Sequence, residues 1–167
     1  MSIVACKILP NGFEICSDSI VVHYDHTQSR GNNLDISKLF EVNNIIVGTS
    51  GVASETSLIR LFLETHGIAE PTEKGMLEFL DEFSSWKKTK TDNGDICNSY
   101  LIGYQGSVFY IGGWSISRVK TYAAIGAGMD YALAALYLGK SAEEAVQTAI
   151  ELSIYCESPI IKIKKEL

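Results

Sequence analysis

The chain has 167 residues, 46% of them hydrophobic and 20% charged, with a formal net charge of −6. That size suits one domain, residues 1–167, with a core of its own, and the acidic balance argues against nucleic-acid or membrane-surface partners, which need clustered Lys and Arg. Apolar runs too short to span a bilayer and the lack of a charged-then-apolar leader point to a cytoplasmic protein.

In chain order, residues 2–9 and 13–19 read as strands joined by Pro10-Asn11-Gly12, a strong hairpin signal. Residues 23–35 read as irregular. Two further strands, 38–42 and 45–48, turn at Asn43-Asn44. The period then lengthens from two to about 3.6 residues. Val52, Leu58, Leu61, Phe62 and Thr65 form one helical face ended by Gly67. A second helix starts near Thr72, with Met76, Phe79, Leu80, Phe83 and Trp86 as its stripe, and residues 89–94 form a polar loop. Strands follow at 97–104, 107–112 and 119–126, then a helix over 129–138 that stops at Gly139. Ser141 and Glu144 make a capping box for a last helix with Ala142, Ala145, Val146, Ala149 and Ile150 inward. A strand over 159–163 closes the chain, and Lys162, Lys164 and Lys165 read as a solvated strand edge.

This order is four strands, two helices, three strands, two helices and one strand, with no internal repeat. Strands and helices that alternate in groups do not suit a parallel sheet. An α+β fold buries every stripe: a four-layer α-β-β-α sandwich of two antiparallel sheets, face to face, flanked by helix pairs. Cys6, Cys16, Cys97 and Cys156 are widely spaced, form no metal-binding pair and read as buried reduced thiols. His23, Asp25 and His26 fall in the irregular stretch and read as surface residues. No metal or cofactor is expected.

A small hydroxyl residue behind a lone methionine, with a carboxylate and a lysine at nearby strand ends, outlines an N-terminal nucleophile. An α-amine has an ordinary pKa of about 7.7–8.0, so a freed Ser2 would carry its own general base near neutral pH. Five stretches in order resemble the proteasome β-subunit and the bacterial HslV protease: Ser2-Ile-Val-Ala5, Cys16-Ser-Asp18-Ser, Ser37-Lys38-Leu39-Phe40, Val47-Gly48-Thr49-Ser50-Gly51, and Ala124-Ile125-Gly126-Ala127-Gly128 running on to Ala135. The resemblance implies the four-layer N-terminal nucleophile hydrolase fold and a peptidase that cuts unfolded polypeptides inside a homo-oligomeric ring, fed by a separate ATP-dependent unfoldase. Matched residue by residue, Ser2 is the nucleophile, Lys38 favours its alkoxide, Asp18 aims Lys38, and the Gly48 N–H holds the oxyanion.

Two registers compete at the start. Matching Ile3-Val4-Ala5 to the HslV strand puts Met1 at the nucleophile position, whereas the sixteen positions from Ser2 to Asp18 put Ser2 there; the spacing to Asp18 favours Ser2. A retained Met1 would leave an amide nitrogen with no basicity. Ala127 also stands where the family has a supporting serine, and Ser153-Ile-Tyr-Cys156-Glu157 matches a further family support poorly. The alternative is therefore a catalytically inactive ring or scaffold protein with Met1 retained. A hydrolase of small amides is a third possibility.

Overall fold

The Asn-Gly turn and its apolar flanks make the first hairpin. In the computed structural model, which describes residues 2–22, 28–30 and 37–166, strand β1 (Val4–Leu9) pairs antiparallel with β2 (Gly12–Ser17), Val4 opposite Ser17. A short pair is formed by β3 (Ile20–Val22), just before the stretch read as irregular, and β4 (Gln28–Arg30), inside it. A second sheet is formed in sequence order by β5 (Leu39–Val42), β6 (Ile45–Ser50), β7 (Ser99–Tyr104), β8 (Ser107–Gly112) and β9 (Ser115–Arg118). Strands β10 (Tyr122–Ile125) and β11 (Ile161–Glu166) complete the first sheet, in the order β10-β1-β2-β11.

Turn chemistry fixes these registers. Asn43 and Asn44 both take positive φ, 50° and 63°, the backbone of the two-residue turn whose twist matches a hairpin. Gln105 and Gly106, at 44° and 76°, do the same between β7 and β8.

Helices α1 (Ala53–Leu63) and α2 (Glu73–Thr91) cover the five-stranded sheet, and α3 (Met129–Tyr137) and α4 (Ala142–Leu152) cover the four-stranded one. The Thr72 side chain caps α2 by accepting from the Gly75 N–H. The capping box of α4 forms in full: Ser141 Oγ accepts the Glu144 N–H at 3.1 Å, and Glu144 accepts the Ser141 N–H at 2.9 Å.

Three apolar clusters fill the spaces between four layers. Phe62, Met76, Phe79, Phe83 and Tyr100 lie between the first helix pair and its sheet. Val4, Cys6, Phe13, Ile15, Ile46 and Leu101 lie between the sheets. Ile3, Ala5 and Cys16 lie between the other sheet and its helices with Ala132 and Ala135 of α3 and Ala142, Ala145 and Ala149 of α4. The expected α-β-β-α sandwich of two antiparallel sheets is the observed architecture.

Several local expectations change. Strand β9 is additional, an edge strand with only Ile116 apolar. On α1, Val52 and Leu61 are exposed, whereas Glu55, Ile59 and Leu63 are buried. Helix α2 runs to Thr91, into the stretch read as a polar loop, and stops where Asp92 turns left-handed. The last strand lies farther along, and its lysines meet carboxylates: Lys162 with Glu143 at 2.8 Å and Lys165 with Glu41 at 2.6 Å. Cys97 is exposed rather than buried; the other three thiols are buried. Among the described residues, no helix is long and apolar enough to cross a membrane.

Candidate active site

Three turns and the start of the chain converge at one end of the sandwich. The β10–α3 turn reaches the start through Gly128, whose N–H donates to the Ser2 carbonyl at 3.2 Å. Gly126, at φ +101°, faces the same carbonyl: a Cβ there would stand 2.3 Å from Ser2 O and 3.0 Å from Ser50 Oγ. Ser50 ends β6, so the β6–α1 turn joins the group. The segment after α4 closes the fourth side through Cys156 and Glu157.

Within this ring of turns lies an ion pair. Lys38 Nζ donates to Asp18 Oδ1 at 2.6 Å, with side-chain exposures of 10% and 0%. The Asp18 carboxylate also accepts the N–H of Ile3 at 3.0 Å, of Glu157 at 3.2 Å and of Ile20 at 3.5 Å. A charge this deep persists only where donors replace the water it lost. Burial pulls the Lys38 ammonium below its ordinary value, against the opposing pull of Asp18. Burial, then the Asp18 charge, pushes up the Cys156 thiol. Beside the couple, Ile20, Ile150, Ser153, Ile154, Cys156 and Glu157 line an open cavity of about 520 Å³.

The expected residues are treated unequally. Asp18 and Lys38 meet, and the Ile3 N–H ties them to the residue after Ser2. Ser2 is 2% exposed and lies at the same pole, where its carbonyl accepts the Gly128 N–H. Val4 faces the other sheet, while Ile3 and Cys16 face the helices. Met1, which the competing register places at the nucleophile, lies outside the described residues, as do His23, Asp25 and His26. No group of three or more His, Cys, Asp and Glu among the described residues is placed to hold a metal ion.

Gly48 is not in the turn. It stands inside β6, opposite Leu39 on one side and Leu101 on the other. A Cβ at this position would lie 2.5 Å from Val4 Cγ1, so its small size serves close approach of the two sheets. The glycine of the strand-to-helix turn is Gly51, at φ +145°, one residue past the last ladder pair, Ser50 with Ser99. The Ser50-Gly51 step is the sequence signal for it.

No protein-family model matches the chain, and no curated protein does. Among solved structures, BPH from Thiobacillus denitrificans in complex with epoxomicin superposes with a TM-score of 0.88 at 15% identity, over 99% of this chain and 98% of that one. Eukaryotic HslV from Trypanosoma brucei gives 0.76 at 15% identity, over 99% of both chains. Anbu, the ancestral beta-subunit, from Yersinia bercovieri gives 0.75 at 14% identity, over 98% and 81%. With a shared course over nearly its whole length, this chain has the proteasome/HslV-like N-terminal nucleophile hydrolase fold.

Proposed function

We propose that the chain is a proteasome-like N-terminal nucleophile peptidase subunit, acting on unfolded polypeptides. The observation that carries this reading is the buried Lys38–Asp18 couple, 2.6 Å apart and hydrogen-bonded to the backbone at the chain start. Replacing such a pair with apolar side chains is often neutral or stabilising, so packing alone gives no reason to keep it.

In this reading Met1 is removed and Ser2 Oγ attacks a peptide carbonyl. The C–O bond forms as the C–N bond breaks, and the hydroxyl proton passes through the Ser2 amine to the leaving amine. Lys38 stabilises the developing alkoxide by charge, and Asp18 keeps Lys38 aimed. The oxyanion donor moves from Gly48, whose backbone belongs to the ladder, to the N–H of Gly51. Water then cleaves the ester and restores Ser2. The structures similar to this chain include HslV and a helical assembly of an Anbu complex. Self-association into a ring in the cytoplasm, with a separate ATP-driven unfoldase, belongs to the same proposal.

A second reading has its own observation. Ala127, standing where the family has a supporting serine, favours a non-hydrolysing ring subunit that retains Met1. Intact-mass measurement after incubation with a peptide epoxyketone separates the two. The peptidase reading expects loss of Met1 and one adduct, absent in Ser2→Ala and much slowed in Lys38→Met. Full-length mass with no adduct at high excess establishes the second reading instead.

A further inference from the structure

The described residues hold two deeply buried lysine–carboxylate pairs. One belongs to the candidate active site. The other joins Lys87 of α2 to Glu55 in the first turn of α1 at 2.6 Å, with side-chain exposures of 7% and 2%.

The Glu55 carboxylate is saturated with donors. It accepts from Tyr100 Oη at 2.6 Å, the Asn98 N–H at 2.9 Å and the Cys97 N–H at 3.1 Å. Lys87 also donates to the Asp95 carbonyl. Burial by itself would raise the Glu55 carboxyl; the Lys87, Tyr100 and backbone donors outweigh it and hold the group below the ordinary glutamate value. The site is thus a fixed negative charge under the start of β7.

What that charge fixes is visible one residue along. Asn98, whose N–H Glu55 holds, turns its side chain onto the β6–α1 turn. Asn98 Oδ1 accepts the Val52 N–H at 2.5 Å, and Nδ2 donates to the Val52 carbonyl at 3.0 Å and to Thr49 Oγ1 at 3.1 Å. Gly51 packs so tightly here that a Cβ would meet Asn98 Oδ1 at 2.2 Å. Ser50, on the other side of Gly51, faces Gly126, where a Cβ would stand 3.0 Å from Ser50 Oγ.

From this chain of bonds we infer that Glu55 is a positioning residue that, through Asn98, sets the Gly51–Val52 turn at the reacting pole. The inference rests on the reading of that turn as the oxyanion donor. Glu55 itself touches no reacting atom.

The test uses the full-length chain and Glu55→Gln, which keeps the size and loses the charge. Amide hydrogen exchange is followed by mass spectrometry on a peptide covering residues 48–56, with one covering 4–17 as control. Loss of charge-assisted bonds at Asn98 is expected to speed exchange in 48–56 about tenfold or more and leave 4–17 unchanged. Epoxyketone labelling should show a lower maximal rate with little change in half-saturating concentration. Tyr100→Phe, which removes one donor and keeps the ring, should move both readouts the same way by less, and it serves if Glu55→Gln does not fold. Unchanged exchange in 48–56, or a lower melting temperature with an unchanged labelling rate, overturns the inference. If the wild-type chain takes no label, the hydrolase reading falls, and the exchange comparison alone decides the role of Glu55.

Discussion

Substituting Gly48 by alanine tests the reassignment of that residue from chemistry to packing. The new Cβ would stand 2.5 Å from Val4 Cγ1 and 3.4 Å from Ile15 Cγ2, whereas carbon atoms in contact prefer about 3.5–4.0 Å. Val4 is fully buried and stiff about χ1, so the strain falls on the spacing of the sheets. Overpacking of this kind costs about 1–3 kcal/mol, equivalent to roughly 2–12 °C of melting temperature for a chain of this size. The assay is thermal and urea denaturation of the wild type, Gly48→Ala, Val4→Ala and the double variant. Val4→Ala removes the clashing methyl, so it should cost less in the Gly48→Ala background than in the wild type, with a coupling of about 1 kcal/mol or more. Additive effects, or no loss on Gly48→Ala, would refute the contact.

Further outcomes follow from other contacts. Lys38→Met strands the Asp18 charge and should cost about 3–5 kcal/mol, with part recovered in the double variant Asp18→Asn/Lys38→Met; equal urea midpoints for the two would contradict the pairing. Because the folded Glu55 carboxyl lies below its ordinary value, its contribution is full above the unfolded glutamate value of about 4.3 and fades as pH falls through the folded one. The gap in urea midpoint between wild type and Glu55→Gln should therefore shrink on acidification, and a constant gap counts against the assignment. A thiol reagent should modify Cys97 first in the native protein. Cys6 and Cys16, pushed by burial to about 12, should react only after unfolding, as peptide mapping would reveal. Ser141→Ala, which removes the cap of α4, should cost about 1 kcal/mol, read from the shift in denaturation midpoint.

The layers were legible because each apolar stripe needed a partner, and the order of strands and helices left few ways to supply one. Asn43-Asn44 and the Ser141–Glu144 box were legible because their chemistry is local. Strand β9 was not, since an exposed edge strand carries little apolar signal. The face of α1 was misread because Glu55 is buried by a lysine 32 positions away, and no local periodicity encodes that partner. Asp18 and Lys38 were found through their order along the chain, but Gly48 and Gly51 are separated only by backbone angles. The placing of Ser2 turns on a single residue of register, which composition and spacing left open.

The two helix layers stand off from their sheets on different spacers. Phenylalanines fill one gap, and the methyl groups of Ala132, Ala135, Ala142, Ala145 and Ala149 line much of the other. A thin filling has little slack, because a methyl cannot swing aside as a long side chain does. The half of the molecule that carries the chain start therefore has little room for larger side chains: a Cβ on Gly128 would stand 2.9 Å from the Ala149 methyl, on the residue whose N–H holds the Ser2 carbonyl.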